Sequence, residues 1–173
     1  IYTLSLHDAL PILYNRKGFG IWPRAIVWGF LGMGISMAMT IFSSGVPFFL
    51  KTMGMENAIT VMGESLSWDK VFVAFCISVA QNTIFAPVFM TLHKITDTHI
   101  LTHGGTLAGF FTPIQMGEIM ANLNWRVQWN FVFKKTIPFF WFPAHTITFL
   151  LPGDMRVLFA ALLGVVLGVL LAI

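Results

Sequence analysis

The chain has 173 residues, of which 57% are hydrophobic and 10% charged, with a mean hydropathy of +0.80. A soluble domain carries roughly a quarter charged residues, and ten Lys/Arg with seven Asp/Glu cannot clothe a 19.4 kDa globule in water. A net charge of +3 is too small for a phosphate-tracking nucleic-acid surface, and a single cysteine, Cys76, excludes an intramolecular disulfide framework or a cysteine-based metal cluster. The expected class is a membrane protein of one domain.

In chain order, Ile1 to Ile12 reads IYTLSLHDALPI, with neither a basic start nor an apolar core, so it is no signal peptide or span. It resembles the conceptual translation of a sequencing-library adaptor and is set aside, leaving 13–173 as a single membrane domain. Four spans are expected, at about 25–50, 71–92, 136–152 and 156–173. Their uncharged runs would extend roughly 39, 33, 27 and 26 Å as helices, against a hydrocarbon core of about 30 Å. The first carries Gly29, Gly32 and Gly34, whose small size permits close helix packing. Lys51 to Lys70 is a polar connection ending beside Trp68, an interfacial anchor. Thr98 to Gly109 is loop-like, with the Gly104-Gly105 pair.

Beyond Pro113, the apolar residues Met116, Met120, Leu123, Val127 and Phe131 recur at helical spacing. With Trp125, Trp129, Arg126, Lys134 and Lys135 close by, an amphipathic helix at the membrane surface is expected, or a plain amphipathic connector. Pro152-Gly153-Asp154 then turns the chain between the last two spans. Ala160, Gly164, Gly168 and Ala172 form a small-residue stripe on the final helix, suited to packing against a partner helix or another copy. The expected fold is therefore all-α: a multi-pass integral membrane protein with about four transmembrane helices and one interfacial helix.

Orientation follows from the basic residues. Arg16, Lys17, Arg24, Lys94, Arg126, Lys134 and Lys135 fall on one side, and Lys51, Lys70 and Arg156 on the other, which assigns the first side to the cytoplasm.

No catalytic constellation is apparent, and no cofactor or metal site is expected. The four expected spans hold no Asp or Glu, which removes the usual carboxylates of ion relays. His99 and His103 share an i, i+4 spacing but flank a Gly-Gly pair, so they read as solvated loop histidines. Cys76 reads as a small packed residue. The polar groups inside spans are Gln81, Asn82, His145 and Thr148. Gln81 and Asn82 point about 100° apart, so at least one must turn inward. Two roles stand open for the four: lining a pore or cavity, and structural hydrogen bonding.

The C-terminal hairpin carries a pattern of its own. Trp141-x-Pro143-x-His145-x-x-Thr148-Phe149, then Pro152-x-x-x-Arg156-Val157-Leu158, resembles the signature of the Mpv-seventeen/PMP-twenty-two family of mitochondrial and peroxisomal membrane proteins. Gln81-Asn82-x-x-x-Ala86-Pro87 is similar to that family's D-Q-x-x-x-A-P, and Arg24 with Gly32 and Gly34 to the opening of its second helix. The departures are Gln81 for Asp, Asn82 for Gln, His145 for Gln and Thr148 for Asn, and the family's first helix is missing. The resemblance implies a divergent, N-terminally truncated member. It also implies a multi-pass protein of a bacterial inner membrane or an organelle, forming a weakly selective channel for small solutes. Pro87, Trp141, Pro143, Phe149, Pro152 and Arg156 would be its structural motif positions. A non-conducting scaffold that packs through its small-residue stripe is the alternative.

Overall fold

The structure, a computed structural model, describes residues 19–170, without the side chains at 165 and 167–170. The adaptor-like segment and Ala172 lie outside the described residues, as does the side-chain environment of the stripe at Gly168. All described regular elements are helical.

α1 (Ile21–Thr52) is a single 32-residue helix, about 48 Å long at 1.5 Å per residue. Uncharged from Ala25 to Leu50, it covers the stretch expected as the first span and overruns it at both ends. Its mean hydropathy is 1.8, yet only 22% of its most apolar stretch is buried against the rest of the chain. By length and composition it is the one described helix able to cross a membrane unaided.

A connection containing a 3-10 turn (Thr60–Gly63) leads into α2 (Trp68–Ile84), capped by Ser67, whose side chain accepts from Lys70 N at 3.2 Å. The predicted second span ends near Leu92, but the helix resumes after Phe85 as α3 (Ala86–Thr102), bent 43° from α2. Pro87 lies in the first turn of α3, where its missing N–H costs no helical bond. The bent pair passes the length and hydropathy test only when taken as one span. Thr98 to Thr102 is therefore helix rather than loop, because Ile95, Asp97, His99 and Ile100 turn inward and are buried there. The loop reading holds only beyond it: Gly104 and Gly105, at φ 66° and 67°, adopt the left-handed backbone that ends the helix.

After a single turn of helix, α4 (Leu107–Phe110), the expected surface helix of 116–131 is split. α5 (Met116–Asn122) stops at Leu123, which is extended, and Asn124 starts α6 (Trp125–Val127) by accepting from Val127 N at 3.1 Å. The apolar spacing continued across the gap, but an Asn side chain that bonds the backbone ahead favours a cap over a helix interior. α6 runs without interruption through a π-helical segment (Gln128–Trp141) into α7 (Phe142–Leu150). The third helix thus begins well before Thr136. Pro138 lies inside the π segment, where wider turns relieve the clash a proline ring makes with the preceding turn. The side chain of Thr136 likewise donates to Phe131 O, five residues back. α8 (Gly153–Leu170) follows the Pro152 turn as expected.

The far half of α1 (Phe42, Val46, Leu50) packs on a core of Val73, Ala74 and Ile77 from the first half of α2. Its near half (Val27, Leu31) meets Ile100 near the end of α3. α1 and the bent pair are therefore antiparallel. Phe149, fully buried, joins the same core from the end of α7, so α7 also runs antiparallel to α2. An added Cβ at Gly29, Gly32, Gly34 or Gly164 meets nothing within 4 Å. The α1 glycines, expected at close helix contacts, instead lie where no neighbour among the described residues approaches. Of the C-terminal stripe, Ala160 packs on the core and Gly164 is open.

Candidate functional site

Of the polar residues singled out by sequence, Asn82 of α2 and His145 of α7 meet directly, while Gln81 and Thr148 are buried on the same two helices. Gln81 (2% exposed), Asn82 (1%), His145 (9%) and Thr148 (0%) are all buried. Both Gln81 and Asn82 turn inward. The 100° between them is accommodated because α2 is covered on a broad face by α7, α1 and the end of the π segment.

Asn82 Nδ2 donates to Ser78 O at 2.8 Å and to His145 Nδ1 at 2.9 Å, using both amide hydrogens across 63 residues of sequence. His145 Nδ1 also stands 3.1 Å from Asn82 Oδ1, so the Asn82 amide pairs with this nitrogen in either tautomer. Ser78 Oγ donates to Phe142 O at 2.8 Å, a second tie between α2 and the start of α7. The Trp141 ring lies 4.9 Å from that of His145, and Thr148 Oγ1 donates back to Ala144 O at 2.9 Å. Two buried polar atoms here have no partner: Gln81 Oε1, an acceptor, and Trp141 Nε1, a donor. Burying an unmade hydrogen bond costs about 1–3 kcal/mol, so the seam is polar beyond what its own bonds consume.

The motif positions of the hairpin act on its shape. Pro143 sits in the first turn of α7, and the Pro152 carbonyl accepts from Met155 N at 3.1 Å as α8 begins. Arg156 folds back: Nε donates to Leu151 O at 3.0 Å, Nη2 to Phe149 O at 3.2 Å, and the guanidinium carbon stands 5.6 Å from the Phe149 ring centre. A cation thereby satisfies the free carbonyls at the C-terminus of α7.

Ser78 was missed by the sequence reading, although its i, i+4 spacing to Asn82 was a usable signal. A second polar centre was missed altogether. Arg24 near the start of α1 makes an ion pair with Asp97 of α3, the two side chains being 14% and 5% exposed, and Arg24 Nε also donates to Phe19 O at 2.7 Å. The expectation that spans carry no acid was right within 71–92; the helix beyond that limit supplies Asp97. His99, read as solvated, is 1% exposed, with Nε2 3.3 Å from Phe110 O and its ring 4.3 Å from that of His103, which is exposed. The two rings are tilted 45° to each other, and among the described residues no three His, Cys, Asp or Glu side chains gather as metal ligands would. Cys76 is half-buried on α2.

These features define a helical assembly with an apolar exterior and a neutral polar seam between two antiparallel helices. No family model, curated protein or solved structure matches the chain.

Proposed function

We propose that the chain is a multi-pass membrane protein that passes small, uncharged polar solutes along the α2–α7 seam, seen here closed. The observation that carries this reading is the bond between buried Asn82 and His145, with Gln81 and Thr148 buried on the same helices and two polar atoms, Gln81 Oε1 and Trp141 Nε1, left without a partner. Interhelical hydrogen bonds in membranes average only about 0.6 kcal/mol, so stability alone is a weak reason to set four polar groups between apolar helices. Membrane location is supported by α1: a helix of mean hydropathy 1.8, mostly unburied, is unsuited to the core of a soluble protein. Its packing on α2 and α3 and the Arg24–Asp97 pair also distinguish it from a detachable signal segment. The hairpin's likeness to the Mpv-seventeen/PMP-twenty-two family supports the same reading.

The four residues are only 0–9% exposed, so conduction requires α7 to move off α2. The test is uptake of a small neutral solute by proteoliposomes holding the folded, reconstituted chain. Entry faster than into protein-free vesicles is expected; none, from protein shown to be folded and inserted, rejects the channel.

A second reading has its own observation. Gly164 on α8 and Gly29, Gly32 and Gly34 on α1 face no neighbour among the described residues, as a non-conducting scaffold that binds partner helices would require. Gly164→Leu with Gly168→Leu should then abolish self-association in a membrane two-hybrid assay; unchanged association removes this reading.

A further inference from the structure

A groove of about 380 Å³ opens beside the helix break. It is lined by Pro87, Val88, Thr91, Leu92 and Ile95 on α3, by Met120 on α5 and by Phe133 of the π segment. The 43° bend after Phe85 turns α3 away from the line of α2, and these five α3 residues occupy its first turns. Trp125 Nε1 donates to Met120 O at 2.9 Å, tying α5 to the start of the following helix and holding the groove's third wall. The lining is apolar except for Thr91, whose hydroxyl is already spent on Pro87 O at 2.7 Å. A polar ligand finds no partner here. A hydrocarbon chain does.

What stands at the end of the groove identifies the rest of the occupant. The Phe133 ring meets Trp129 edge-on, with centroids 6.0 Å apart, and Lys134 Nζ lies 5.9 Å from the same Trp129 ring. The apolar wall thus leads, through one exposed indole, to an exposed ammonium. Lys135 follows and Arg126 precedes, both exposed, against the single exposed carboxylate of Glu118 on α5. Tryptophan favours headgroup level, and basic clusters between membrane helices on the cytoplasmic side bind anionic headgroups. All three cations belong to the side that the basic-residue asymmetry assigns to the cytoplasm.

We propose that this groove binds an anionic phospholipid of the inner leaflet, with an acyl chain along α3 and the phosphate at Lys134 and Lys135. The proposal rests on the membrane reading but not on conduction. The test uses the full chain extracted from vesicles of equal phosphatidylglycerol and phosphatidylcholine, with retained lipid counted by native mass spectrometry. The wild type should keep phosphatidylglycerol preferentially. Lys134→Gln and Lys135→Gln should each lower that preference about fivefold, while Thr91→Trp, which fills the groove, should lower retention of both lipids. Circular dichroism equal to wild type shows that the variants fold. Equal retention of the two lipids by the wild type, or charge variants that keep its preference, overturns the proposal. Failure of the wild type to float with vesicles would instead overturn the membrane reading.

Discussion

The chain buries polarity in two places and by two different means. At the α2–α7 seam the groups are neutral, an amide and an imidazole bonded directly at 2.9 Å. Where the start of α1 meets the second half of α3, the buried groups are charged, Arg24 against Asp97. The positions match the chemistry. A neutral network can sit far from water, because each group costs only its unmade bonds. A charged pair needs a partner and is least costly near helix ends, within reach of headgroups and water. Arg24 lies in the first turn of a 32-residue helix. The difference teaches that the seam can separate at modest cost, whereas the ion pair serves as a fixed clamp.

Breaking the clamp should have the largest effect. Asp97→Ala leaves a largely buried guanidinium without its carboxylate and should cost about 3 kcal/mol, the low end for a buried pair, read as unfolding in mixed micelles. Replacing both partners, Arg24→Met with Asp97→Leu, should recover most of that loss. An Asp97→Ala loss below about 0.5 kcal/mol would mean that the charges are solvated and that no clamp exists.

The seam should respond less. Asn82→Leu leaves His145 Nδ1 without its partner and should cost about 1–3 kcal/mol. The coupling of Asn82 to His145 in a double-mutant cycle should be about 0.6 kcal/mol. A coupling near that of the ion pair would erase the distinction between the two centres.

Two smaller changes sharpen it. Arg156→Gln removes the cation from the C-terminus of α7 and should cost about 1 kcal/mol in the same unfolding assay. Gly164→Leu, at an open position, should change monomer stability by less than about 0.5 kcal/mol. A larger loss would place an unseen contact on that face.

How far the sequence revealed these regions depended on the physics of each. α1 was legible because 26 uncharged residues admit few structures other than a long helix. The seam residues were legible because Gln81, Asn82, His145 and Thr148 interrupt apolar runs. The ion pair was not: Lys94, Asp97 and His99 looked like the end of a span, and the partner that permits Asp97 to be buried stands 73 residues away. Helix continuation past Leu92 was hidden by the same polarity. The split at Leu123 and Asn124 was hidden because apolar spacing carries on across a gap that one capping side chain creates. The π segment escaped for a simpler reason, since counting at 3.6 residues per turn cannot register a wider helix.

The central claim is that solute passes where α2 and α7 separate. Its most direct test places cysteines at Asn82 and His145 in a Cys76→Ser background and joins them with a short, reducible bifunctional thiol reagent in proteoliposomes. Uptake of a small neutral solute such as glycerol is then followed by light scattering. The account predicts that the uncrosslinked protein admits solute, that crosslinking abolishes entry, and that reduction restores it. Entry that continues unchanged with the seam fully crosslinked would contradict it.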